Sequence, residues 1–190
     1  MNKKIHLVAI SQEFFKLCSF DKELLVNYNQ GRPYMIVLKL KYKEKMIDFA
    51  LPLRSNISKT TRKENFFKLP NNKKTKQGNH HGIHFEKMFP IEKKYKVKFR
   101  QDEFLEKIII PFISNNLKEI IGLAQQYLMR YENGDKTIYS TDIDRIYETL
   151  ENEEIMNSFW IKILSKNKKW RSYEESNPKP SDPKSDALSN

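Results

Sequence analysis

Residues 34–56 read YMIVLKLKYKEKMIDFALPLRSN, and the fold turns on how this stretch is read. Tyr34, Ile36, Leu38, Leu40 and Tyr42 alternate with Lys39 and Lys41, the period-two pattern of a strand with one buried face. Lys43-Glu44-Lys45 suits a turn, after which Ile47, Phe49, Leu51 and Leu53 line one face of a second strand, so the two form a β-hairpin. Pro52 carries no N–H, which predicts that this second strand lies at an edge or ends there. Upstream, residues 5–10 alternate as a first strand. Ser11 is placed to cap a short helix with Phe14, Phe15 and Cys18 on its apolar face. A polar loop follows over about 21–33.

Downstream, residues 54–82 are polar, basic and without apolar periodicity. A loop of that length in a compact domain is functional or disordered. Two short strands are expected near 83–91 and 95–99. Over 102–132 the spacing of Phe104, Ile108, Leu117, Ile121, Ala124 and Leu128 predicts a helix that Pro111 must kink or divide. Asn133-Gly134-Asp135 closes it, and Thr141 with Asp144 opens another helix running to about Lys166. Strands come first and helices late, which predicts an α+β fold. The expected organisation is one domain over 1–170 and a disordered tail over 171–190, where there is almost nothing to bury.

Composition bounds the function. The 190 residues suit one domain with a little left over, and 35 Lys/Arg against 24 Asp/Glu give a net charge of +11. Collagen, a disulfide scaffold and a multi-pass membrane protein are excluded by these figures. Cys18 stands alone and points to a reducing compartment, no signal peptide is expected behind Lys3 and Lys4, and the apolar run at 108–113 is too short to span a membrane. A cytoplasmic protein with no membrane partner is the expectation. The charge is uneven: residues 1–50 carry +4, 51–100 carry +11 and 101–190 carry −4. A middle segment with that excess attracts a polyanion and gains counterion-release affinity, the plain alternative being a solvated face.

The chemistry concentrates where the hairpin's second strand meets the basic loop, Leu51-Pro52-Leu53-Arg54-Ser55-Asn56. A guanidinium offers a planar fork to phosphate oxygens, and a serine hydroxyl beside it can give or take a hydrogen bond or proton. With RNA as substrate the nucleophile need not come from the protein, because the 2′-OH adjoins the phosphate. Positioning that hydroxyl, stabilising the added charge and helping the 5′-oxygen leave require no metal or other cofactor. The alternative for Ser55 is a turn residue at a loop start. No Gly-x-Ser-x-Gly elbow and no Gly-rich phosphate loop is present. Asp142 and Asp144 read as helix-start acids rather than metal ligands, and His80, His81 and His84 lack the partners of a zinc site. Those histidines, with Arg62, Lys63, Lys73, Lys74, Lys76 and Lys87, are the candidate RNA contacts. Tyr28, Tyr34, Phe66 and Phe67 could stack on bases. Tyr34 also fits a core face, and Phe66-Phe67 could pin the loop to the sheet.

Three stretches in order carry a resemblance: Arg32-Pro33-Tyr34 into Ile36-Val37-Leu38-Lys39-Leu40, then Phe49-Ala50-Leu51-Pro52-Leu53-Arg54-Ser55-Asn56, then Gly82-Ile83-His84-Phe85 through Pro90-Ile91. Together they resemble the RNA-cutting toxins of type III toxin–antitoxin systems, the ToxN/AbiQ family, with wording similar to its TenpN branch. The resemblance implies a small twisted antiparallel sheet flanked by helices, similar to the MazF/Kid toxin fold. It implies a metal-independent endoribonuclease, needing no cofactor, that leaves 2′,3′-cyclic phosphate and 5′-OH ends on cellular or phage mRNA. The partner would be an antitoxin RNA of pseudoknot repeats, closing with the toxin into a cyclic protein–RNA hetero-oligomer. The family serine carries over to Ser55, and the tyrosine and basic residue of the preceding loop to Tyr28 and Arg32. Arg54 or Lys59 would stabilise developing charge, though Lys59 departs from the family's Ser-Pro-Lys spacing. Relatives more often hold Asn or Asp where this chain has His84, which leaves the general acid and base open. The competing reading is a non-catalytic RNA-binding protein that blocks translation by occupancy.

Overall fold

The computed structural model describes residues 7–24, 35–98 and 103–176. Strand β1 (Leu7–Ile10) leads into helix α1 (Gln12–Leu17), and the hairpin follows as β2 (Met35–Tyr42) and β3 (Lys45–Ile57). After a 3₁₀ turn at Lys63–Asn65 come β4 (Phe66–Lys68), β5 (His80–His84), β6 (Phe89–Pro90) and β7 (Lys96–Lys98). A π-helical turn, Leu105–Ile109, opens directly into α2 (Ile110–Asn115), then α3 (Leu117–Glu132) and α4 (Ile143–Ser176). Among the described residues the seven strands form one antiparallel sheet in the order β4-β5-β3-β2-β1-β7, with β6 also on β3. The class is α+β, as the order of elements predicts.

The hairpin register runs from Met35 opposite Pro52 to Tyr42 opposite Lys45, leaving a two-residue turn at Lys43-Glu44. Both turn residues have positive φ, 45° and 62°, the left-handed pair that matches the twist of antiparallel strands. Helix α3 locks this end of the hairpin. Gln125 accepts from the Lys41 N–H and donates to its carbonyl, and Glu132 accepts from the Lys43 N–H.

The expectation for Pro52 is corrected: β3 continues five residues past it and sits in the middle of the sheet. A proline is tolerated there because the ladder on one edge gives way around it: β6 pairs up to Ala50 and β5 begins at Leu53. The hairpin strand is also buried on both faces from Phe49 to Leu53, which alternation alone does not predict. Phe49, Leu51 and Leu53 join Ile36, Leu38 and Leu40 against Ile113, Ile120, Ala124 and Leu128. Ala50 and Met35 face the other way, into a second core with Phe14, Phe15, Cys18, Phe89, Tyr95 and Ile146.

Pro111 does not divide the helix where it stands. The π turn ahead of it absorbs the missing N–H, and the break falls at Asn116 (φ −107°, ψ 13°). Asn133-Gly134-Asp135 closes α3 as expected. The Gly134 N–H reaches the Tyr131 carbonyl and the Asp135 N–H the Arg130 carbonyl, with Gly134 at φ 87°, which makes a Schellman motif. At α4 the cap shifts by one residue. Thr141 donates its hydroxyl to the Met88 carbonyl, and Asp142 accepts from the Arg145 N–H instead. Met1–Leu150 form one compact unit and Glu151–Asn190 a second. The α4 helix runs ten residues beyond Lys166, to Ser176. The expected disordered tail lies, from residue 177 on, outside the described residues. No described helix is long and apolar enough to cross a membrane.

Candidate active site

Ser55 sits on a bulge. The β3–β5 register is regular at Leu53–Ile83 and Arg54–Gly82, shifts between Arg54 and Ile57, and resumes at Ile57–His80. A bulge releases residues from the strict alternation of a strand and re-aims them, here Ser55 and Asn56. Each of these two side chains then meets the basic loop. Asn72 donates its amide to Ser55 Oγ at 3.1 Å. Because Ser55 accepts in that bond, its own O–H proton is not consumed by it. Asn56 donates to the Lys74 carbonyl (3.0 Å) and accepts from the Lys76 N–H (2.8 Å). Asn72 Oδ1 in turn accepts from the Lys74 N–H and the Thr75 hydroxyl. The loop carrying exposed Lys73, Lys74 and Lys76 is thereby tied to the strand end that carries Ser55.

The segment expected to be one long loop thus contains structure. Strand β3 reaches Ile57, and Phe66 and Phe67 are buried in β4, pinning the chain to the sheet as one of their two readings had it. Gly82 is where these strands crowd. A Cβ there would lie 2.5 Å from the Phe67 carbonyl oxygen and 3.2 Å from side-chain atoms of Ile57 and Phe66.

Arg54 faces different company from its neighbour. Its Nη1 lies 3.0 Å from Nδ1 of His84, which is only 3% exposed. His84 Nε2 stands 3.3 Å from Glu86 Oε2, within ion-pair range but outside good hydrogen-bond geometry. The other Glu86 oxygen accepts from Thr137 (2.5 Å) and from Asn65 (3.2 Å), and Asn65 accepts from Arg130 (3.0 Å). Burial pushes His84 below the ordinary histidine range, and the cations of Arg54 and Lys87 push the same way against the pull of Glu86. Burial alone would raise Glu86, but the His84 ring beside it and the hydrogen bond from Thr137 outweigh it and hold the carboxyl below its usual value.

The remaining candidates are dispersed. Lys59 and Lys63 are exposed, and Arg62 is exposed and ion-paired with Asp135 at 2.9 Å. His80 stacks on Phe66, while His81 is buried with Nδ1 at 2.6 Å from the Pro70 carbonyl. Lys87 is buried, with its ammonium on Glu23 and the Tyr139 carbonyl. The three histidines therefore serve three separate contacts. Among the described residues no group of His, Cys, Asp or Glu is arranged to hold a metal ion. Asp142 caps α4, and Asp144 accepts from Tyr42 at 2.6 Å. Tyr28 and Arg32 lie outside the described residues. Sequence reasoning missed Asn72, Asn65, Glu86 and Thr137. Asn71-Asn72 after Pro70 signals a turn, and nothing in the sequence ties it to Ser55, 17 residues earlier.

No family model and no curated protein sequence matches the chain. Solved structures do. A ToxN structure, from a bacterial antiviral system regulated by a processed non-coding RNA, superposes at a TM-score of 0.56 with 16% identity, over 75% of this chain and 95% of that one. AbiQ, a lactococcal anti-phage endoribonuclease of a type III toxin–antitoxin system, superposes at 0.51 with 14% identity, over 80% of this chain and 99% of that one. At these identities the likeness is one of architecture, and the chain shares the fold of the toxins ToxN and AbiQ.

Proposed function

We propose that this protein is a metal-independent endoribonuclease toxin of a type III toxin–antitoxin system, acting in phage defence on single-stranded cellular or phage mRNA. The observation that carries the reading is the bond between Asn72 and Ser55. With the Asn56 contacts, it sets the lysine loop around a serine on a bulged strand end, with Arg54 next in the chain. Polyanion attraction and a hydroxyl with its proton to give are then in one place. The shared fold with two toxins, one of them an endoribonuclease, supports the same reading.

In this reaction the substrate's own 2′-oxygen bonds to phosphorus while the bond to the 5′-oxygen breaks. The 2′ proton passes to a base and the 5′-oxygen takes up a proton, leaving a 2′,3′-cyclic phosphate and a 5′-OH. Ser55 lies at the scissile phosphate, orienting the 2′-hydroxyl or assisting the proton transfer. Arg54 or Lys59 stabilises the charge that builds on the phosphoryl oxygens, and Tyr28 and Arg32 hold the phosphate or a flanking nucleotide. Exposed Lys63, Lys73, Lys74 and Lys76 track the backbone, with Arg62 joining when it leaves Asp135. His80 lies over Phe66 at the edge of this surface. His81, His84 and Lys87 are buried and act from inside: His84 on Arg54, His81 on the Pro70 carbonyl at the start of the lysine loop, and Lys87 on Glu23 and the Tyr139 carbonyl. An antitoxin RNA of pseudoknot repeats, made by the same cleavage, occupies the same basic surface and closes with the toxin into a cyclic assembly.

The test is incubation of the purified protein with mixed-sequence single-stranded RNA in EDTA, with Ser55→Ala alongside and end mapping as readout. Cyclic-phosphate ends from the wild type, reduced at least 100-fold in a folded Ser55→Ala that still binds RNA, are the expected result. RNA bound but left intact by the wild type would give the case to translation block by occupancy, with Ser55 a turn residue. Cleavage that disappears in EDTA and returns with a divalent cation would overturn metal independence.

A further inference from the structure

The line of side chains behind Arg54 admits one assignment of protons. A guanidinium only donates, so His84 Nδ1 accepts, and the neutral ring carries its proton on Nε2, facing Glu86. Glu86 is itself fixed from its other oxygen by Thr137 and Asn65, and Asn65 by Arg130 from α3. His84, Glu86 and Asn65 are all buried, so each link is set by its neighbour and not by water. The charged groups facing His84 are Arg54 from β3 and, from the turn after β5, Glu86 and Lys87. The His84 bond takes one of the five N–H donors a guanidinium carries and tethers one arm of the fork.

We propose that His84 is a positioning residue: oriented by Glu86, it holds the Arg54 guanidinium in the attitude that meets an RNA phosphate at Ser55, and its protonation releases Arg54 and switches the site off. The inference rests on the ribonuclease reading and adds to it a pH-sensitive support for one arginine. Protonated His84 offers Nδ1 as a donor to a group that cannot accept, and sets two cations side by side. Both effects drive Arg54 away.

The experiment compares the wild type with His84→Asn, His84→Leu, Arg54→Ala and the double variant Arg54→Ala/His84→Leu. Cleavage of one labelled single-stranded RNA and its Kd are measured from pH 5 to 8, with thermal midpoints as a folding control. Asparagine places its carboxamide oxygen near the position of Nδ1 but cannot titrate in this range. His84→Asn should therefore stay within about threefold of wild type at pH 7.5 and lose the acid limb below the histidine range that the wild type shows. His84→Leu should lose about 10- to 100-fold, the scale of a hydrogen bond to a charged group. That loss should vanish in the Arg54→Ala background, because the leucine removes nothing once Arg54 is gone.

An unchanged rate and pH profile in His84→Leu, or a loss that adds in full to that of Arg54→Ala, overturns the relay. Should His84→Leu not fold, the acid limb alone decides, present in the wild type and absent in His84→Asn or else the proposal falls. If the wild type binds RNA without cutting it, the ribonuclease reading fails by itself. The same variants read as Kd then judge the relay, which requires affinity to weaken on acidification in the wild type and not in His84→Asn. RNA neither bound nor cut overturns both.

Discussion

Gly82 is constrained from two sides at once, by Arg54 of β3 and by Lys68 of β4, both of which pair with it. Its φ is ordinary, so the constraint is space and not backbone conformation. A methyl group at 2.5 Å from a backbone oxygen cannot be relieved by a side-chain rotation, because the oxygen belongs to the ladder itself. Gly82→Ala should cost about 1–3 kcal/mol in chemical denaturation, and should also loosen the β3–β5 pairing that sets Arg54 and Ser55. A variant as stable as the wild type would mean that β4 can slide off β5 at little cost. Ser55 shows the opposite case, a residue whose surroundings are polar and partly open. Ser55→Ala should change stability by only a few tenths of a kcal/mol while abolishing cleavage, since it removes one hydrogen bond at a half-exposed site. Parallel melts and RNA digests separate the two effects.

The hairpin turn is an element held in an unfavourable backbone by what surrounds it. Left-handed conformations at Lys43 and Glu44 are costly for residues with a Cβ, and the sequence carries no Asn-Gly or Asp-Gly there. Lys43 is compensated by Asp144 at 3.2 Å and by its place over the rings of Tyr42 and Tyr147. Glu44 has only an exposed ion pair with Lys41, which contributes little in water. Glu44→Gly should therefore stabilise the protein by about 0.5–1 kcal/mol, the relief of backbone strain outweighing the added freedom of the unfolded chain. A lower denaturation midpoint would show that the Glu44 side chain does more than the ion pair indicates. At the other end of β3 the bulge, Asn56 and the lysine loop form a second such element, in which side-chain amides replace the ladder that the bulge interrupts.

For the whole molecule, buried histidines set the response to acid. His81 and His84 both titrate below the ordinary histidine value, in each case first because burial disfavours the charged ring. For a base with a depressed folded value, the unfolded chain binds the proton first. The stability this contributes is intact above about pH 6.5 and drains away as pH falls from there toward the folded values. Glu86 and Asp144 act lower down: burial raises each, their hydrogen-bond partners outweigh it, and the net depression is lost only as the carboxyls protonate. Unfolding followed from pH 7.5 to 5 should show a falling midpoint with a smaller slope in His84→Asn. A wild-type curve flat across this window would mean that neither histidine is held neutral by the fold.

Much of this was written in the order of residues. The alternation at 34–53, the helix signals around Asn133-Gly134-Asp135 and the charge excess of residues 51–100 identify a basic α+β chain and single out the strand end at Arg54-Ser55 as its candidate site. They do so because periodicity, capping and charge are local properties that neighbouring residues fix among themselves. What lay outside that reach was decided by pairing. The central position of β3, its burial on both faces and the tolerance of Pro52 follow from which strands dock on each edge. A basic segment that reads as one loop acquires β4 because Phe66 and Phe67 find a partner strand at 82–84. The contacts that define the candidate site, Asn72 on Ser55 and His84 between Arg54 and Glu86, join residues brought together only when β5 lies against β3. A sequence shows which groups can donate and accept, and only the closed sheet decides which of them meet.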